Sequence, residues 1–160
     1  MWTLKILLLI CFFAILFQDS KDRKVYWFLY PVIGLIAFAI QTQQNNFFIS
    51  ITNSLVNLLF IFMILSICYF YAKFKLKQHF TDEVFGLGDI LFFIFITFSF
   101  ASISFVILFI FSLFFSLLLH AFLKNNNSDK TVPLAGYMSL FFGTVYIISF
   151  FCNINFLFAY

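Results

Sequence analysis

Charged residues are scarce in this chain: nine Lys and Arg and six Asp and Glu make up 9% of it, where a soluble domain carries about 25%. With 64% hydrophobic residues and a mean hydropathy of +1.10, a soluble domain is excluded and a lipid bilayer becomes the expected solvent. Cysteine is also sparse. Cys11, Cys68 and Cys152 stand singly inside apolar runs, which excludes the close pairing of a zinc or disulfide framework and leaves apolar packing as their role. His79 and His120 have no second ligand at metal-binding spacing, so no metal and no cofactor are expected. The small net charge of +3 is not gathered on one face, which excludes a nucleic-acid partner. Glycine is rare too, and two of the five glycines clamp an acid in Gly86-Leu87-Gly88-Asp89.

What the chain has instead is apolar length, with thirty phenylalanines in place of much of the usual Leu and Val. Apolar blocks run over 2–17, 25–40, 47–72, 90–123 and 132–151. A helix needs about 20 apolar residues to cross a hydrocarbon core of roughly 30 Å. The fourth block is long enough for two crossings, with a polar midpoint at 99–104. The expected architecture is therefore all-α: one polytopic domain over 1–160 with transmembrane helices at 2–17, 25–40, 47–72, 90–102, 104–123 and 132–151.

Basic residues near span ends are held in the cytoplasm. Lys21, Arg23 and Lys24 follow the first span, Lys73, Lys75 and Lys77 the third, and Lys124 and Lys130 the fifth. All three loops fall on one side, with Lys5 alone against the scheme. Both termini are thus expected to face away from the cytoplasm. The first span reads as a membrane helix rather than a cleaved leader, because no small-residue cleavage site precedes Gln18.

Every carboxylate lies on the expected cytoplasmic side: Asp19, Asp22, Asp82, Glu83, Asp89 and Asp129. Asp19 closes the first helix and Asp89 opens the fourth, at the membrane boundary where an unpaired charge is costly. Two such acids brought together have a defined chemistry. Carboxylates about 3 Å apart cannot both ionise and share one proton, so one takes a proton from water while the other polarises a peptide carbonyl. Residues without Cβ adopt positive φ freely and admit another backbone, so the 86–89 turn is expected to let a substrate strand lie beside Asp89. Asp22 reads as a loop charge. Gly136, Ser139 and Gly143 recur at helical spacing, which suits close helix packing.

On these residues the chain resembles the type IV prepilin peptidases, intramembrane aspartyl proteases of the Gly-x-Gly-Asp class, in their compact six-helix form without a zinc-binding domain. Asp19 and the basic stretch through Lys24 match the first catalytic acid and its surroundings, and Gly86, Leu87, Gly88 and Asp89 match the second. Val132-Pro133-Leu134-Ala135-Gly136 loosely matches the family's late proline segment, with Gly136 in place of its second proline. Two further positions depart from the pattern: Leu91 stands where the family usually has Lys, and Tyr26-Trp27 where it usually has Pro-Asn. The resemblance implies catalysis by Asp19 and Asp89, with Gly86, Leu87, Gly88 and Pro133 at the substrate approach. Its implied substrate is a pilin-like precursor in the bilayer, whose short basic leader is removed at the cytoplasmic face of the inner membrane. Asp82 and Glu83 are candidates for meeting that leader. Two alternatives stay open: a noncatalytic membrane scaffold of a pilus or secretion apparatus, and a presenilin-like Gly-x-Gly-Asp protease. The sequence sets no oligomeric state.

Overall fold

The computed structural model describes residues 2–22, 24–76, 86–123, 132–151 and 156–159. It is built from helices, and no strand occurs among the described residues. In chain order they are α1 (Trp2–Asp22), α2 (Leu29–Gln44), α3 (Phe47–Tyr71, continued by a π-helical turn Ala72–Leu76), α4 (Leu87–Ile96), α5 (Ser102–Leu123), α6 (Leu134–Phe151) and the short α7 (Phe156–Ala159). Four helices, α1, α3, α5 and α6, are long and apolar enough to cross a membrane. Many of their large side chains face outward, among them Phe13, Phe48, Phe62, Phe111, Phe114 and Phe122. An apolar exterior on this scale is consistent with lipid rather than water against it.

Helix ends differ from the expected spans for local reasons. α1 runs on to Asp22, so Asp19 lies inside the last turn rather than at the end. α2 starts at Leu29 instead of 25, after a turn in which the Gln18 Oε1 accepts a hydrogen bond from the Tyr26 N–H at 3.1 Å. Pro31 falls in the first turn of α2, where its missing N–H would have had no helical acceptor anyway. α4 is shorter than the expected 90–102, because Thr97 turns the chain back: its Oγ1 and its N–H both donate to the Ile94 carbonyl. The turn expected at 99–104 occupies 97–101. Asn57 of α3, fully buried, donates from Nδ2 to the carbonyls of Thr97 and Phe100, each at 3.0 Å, and so satisfies the acceptors that the broken helix exposes. α7 was not foreshadowed by any span; it packs here through an Ala101 N–H to Leu157 carbonyl bond, with the Phe158 ring tilted by 34° against that of Phe100.

The α1–α6 pair organises the bundle. The two helices run antiparallel, and the small residues of α6 all face α1: Gly136 against Asp19, Ser139 donating to the Phe12 carbonyl, and Gly143 against Leu9 and Phe12. This is the close packing that their spacing implies. The partners also complement the α6 dipole. Asp19 meets its N-terminal N–H groups, while Lys5, the basic residue on the wrong side of the loop pattern, donates to the Ser149 carbonyl and hydroxyl at its C-terminus. Lys5 is thus an α6 cap, and its position reflects that packing rather than topology. α4 sits between α2, α3 and α6, where Phe92 contacts the rings of Phe12, Tyr30 and Phe142, and Phe93 contacts Phe109. Cys11 also belongs to this core.

Candidate active site at the N-terminus of α6

The first turn of α6 has no capping side chain of its own. Residues 132 and 133 are Val and Pro, neither of which carries an acceptor, and Pro133 fills the cap position, its carbonyl taking the Tyr137 N–H. The N–H groups of Ala135 and Gly136 therefore need partners from elsewhere in the fold. Asp89, in the first turn of α4, accepts from the Ala135 N–H through Oδ1 at 2.9 Å. Asp19, in the last turn of α1, accepts from the Gly136 N–H through Oδ2 at 2.7 Å. Two acids distant in sequence thus converge on consecutive amides. They are close enough for the charge of one to act on the other, and the positive end of the α6 dipole favours negative charge at this spot.

The glycines of the motif serve space rather than backbone freedom. Gly86 is the N-cap of α4 with φ −68° and ψ 141°, an extended conformation open to any residue, and 87–89 are helical; the expectation of a positive-φ turn is corrected accordingly. A Cβ on Gly86 would come within 3.3 Å of Asp89 Oδ2, one on Gly136 within 3.0 Å of Asp19 Oδ2, and one on Gly88 within 2.7 Å of Tyr30 Oη. Each of these glycines makes room for a polar group of the site.

Tyr30, on α2, is the residue that sequence reasoning passed over. Its side chain is 1% exposed and its hydroxyl has no hydrogen-bond partner among the described residues, yet it stands beside Gly88, the residue before Asp89. Only its position one residue before Pro31 set it apart in the sequence, and nothing there tied it to the acids.

The other anticipated residues fall as follows. Pro133 and Asp19 are buried, whereas Asp89 is half-buried and Gly86 and Leu87 are exposed. Leu91 packs against the hydrophobic core. Asp82 and Glu83 lie outside the described residues, as do His79 and Cys152. Among the described residues no group of three or more His, Cys, Asp or Glu side chains comes together. The chain matches no protein-family model, and no curated protein or solved structure shows significant similarity to it.

Proposed function

We propose that this chain is an intramembrane aspartyl endopeptidase of the prepilin-peptidase kind. In this reading it crosses the cytoplasmic (inner) membrane six times, with both termini away from the cytoplasm and the acid end of the bundle at the cytoplasmic face. Its substrate is a pilin-like precursor whose short basic leader is cut off just before an apolar helix. The reading rests on one observation: Asp19 and Asp89 take consecutive N–H groups of the same helix turn, with their flanking glycines cleared for them.

The pair holds one negative charge and one proton. The ionised carboxylate takes a proton from water, whose oxygen bonds to the substrate carbonyl carbon, while the protonated carboxyl gives its proton to the carbonyl oxygen. The carbon–nitrogen bond then breaks as the carboxyl gives its proton to the leaving amine and the other carboxylate takes a hydroxyl proton from the diol, so the product acid forms and the pair again holds one proton. The exposed Gly86 and Leu87 leave a side open for the substrate chain.

A second reading is supported by the same hydrogen bonds: the acids cap α6, and the chain is a noncatalytic scaffold of a pilus or secretion apparatus. Asparagine separates the two, because its amide oxygen still accepts from an N–H but it holds no exchangeable acid proton. The test is co-expression with a candidate prepilin in cells lacking their own peptidase, with leader removal followed by gel for wild type, Asp19→Asn and Asp89→Asn. The endopeptidase reading expects cleavage by wild type and none by either variant. Cleavage that survives a substitution, or wild type that cuts no pilin-like substrate, favours the scaffold.

A further inference from the structure

We propose that Tyr30 is a third catalytic group, its hydroxyl donating a hydrogen bond to the substrate carbonyl oxygen as the tetrahedral intermediate forms. The inference deepens the endopeptidase reading and rests on it. A buried hydroxyl normally finds a partner, because leaving one unmade costs free energy. The Tyr30 hydroxyl has none among the described residues, although the side chain is 1% exposed, and it lies against Gly88, the residue before Asp89. The ring is fixed against Phe92, edge to face, with centroids 6.5 Å apart, so the hydroxyl is held in place and not free to swing away. The hydroxyl lies directly against the first turn of α4, where a methyl group at Gly88 would stand 2.7 Å from the oxygen.

These features describe a donor built in advance for a group absent from the free protein. The protonated carboxyl delivers its proton to this same oxygen, and Tyr30 adds a second donor to it. In the reaction the tyrosine keeps its own proton throughout. Water adds to the carbonyl carbon, the acids move the protons as above, and Tyr30 stabilises the partial negative charge that develops on the carbonyl oxygen before the carboxyl proton reaches it, the service an oxyanion-hole donor performs. The second glycine of the Gly-x-Gly-Asp motif then has a specific purpose, which is space for this hydroxyl beside Asp89.

The test uses the full chain purified in detergent and a fluorogenic peptide with a Lys/Arg leader followed by an apolar helix. Tyr30→Phe removes only the hydroxyl; kcat is expected to fall on the order of 100-fold with KM changed less than about twofold, the pattern of a lost transition-state contact. Gly88→Ala, which crowds the hydroxyl without removing it, is expected to lower kcat as well, and the double variant to be no slower than Tyr30→Phe alone. Should Tyr30→Phe fail to fold, Gly88→Ala carries the test, and wild-type kcat in that variant overturns the proposal. Tyr30→Phe with wild-type kcat, while Asp19→Asn and Asp89→Asn are silent, overturns the role of Tyr30 and leaves the dyad standing. A wild type that does not cut the peptide or any prepilin overturns both.

Discussion

Gly136 is the residue whose replacement best measures how tightly α6 holds Asp19. In Gly136→Ala the added methyl would sit 3.0 Å from Asp19 Oδ2 and 3.1 Å from its Cβ, closer than ordinary contact, so the carboxylate must back away from the amide it now meets at 2.7 Å. Two effects oppose each other. Alanine gains at most about 1 kcal/mol over glycine in a helix, whereas a hydrogen bond to a charged group contributes about 1.5–3 kcal/mol. The hydrogen bond wins, and a net destabilisation of roughly 0.5–2 kcal/mol is expected. Gly143→Ala is the internal control, because its methyl would meet Leu9 and Phe12 at 3.9 Å, an ordinary contact, and helix propensity then acts alone. Reversible unfolding in mixed micelles, followed through Trp2 and Trp27, compares the two. Gly136→Ala should unfold more easily than wild type and Gly143→Ala at least as reluctantly. If Gly136→Ala proved as stable as Gly143→Ala, the Asp19–α6 contact would not hold the bundle as described. Leader cleavage in Gly136→Ala should also fall by about 10²-fold, the scale of a misplacement of about 1 Å.

Asp19→Ala should cost about 1–3 kcal/mol in the same unfolding assay, since it strips the acceptor from a buried amide, while Asp19→Asn should stay within about 1 kcal/mol of wild type because asparagine caps helices as well as aspartate does. Equal losses in the two variants would contradict the capping role. At the other end of the bundle, Asn57→Leu should destabilise by about 2–3 kcal/mol, because two carbonyls at the α4–α5 turn lose the side-chain donor that Asn57 gives them; Asn57→Asp should be worse, placing a carboxylate against those same carbonyl oxygens. Unchanged stability in Asn57→Leu would show that water or backbone serves these carbonyls instead.

The apolar blocks, the two boundary acids and the Gly136, Ser139, Gly143 stripe were legible because each follows from local composition or helical period. Long apolar runs have few structures open to them in lipid, and small residues at helical spacing mark a packing face wherever it lies. Helix ends were less legible. Thr97 ends α4 early by bonding back to Ile94, and Asn57 stabilises that break from a different helix, so the decision is shared between distant parts of the chain.

By itself the sequence determined a helical chain with runs apolar enough to cross a membrane, and it marked Asp19 and Asp89 as acids out of place in so apolar a chain. Only the tertiary structure decided what those acids meet. Val132 and Pro133 leave the start of α6 without a cap, and the antiparallel packing of α1 and the placement of α4 bring Asp19 and Asp89 to its open amides. The same packing turned Lys5 from an exception in the charge pattern into the partner of the opposite end of α6. It also set the Tyr30 hydroxyl beside Gly88. Motif spacing records neighbours along one helix; a buried hydrogen bond or an unfilled donor depends on which surfaces of different helices come together, and that is fixed only when the chain folds.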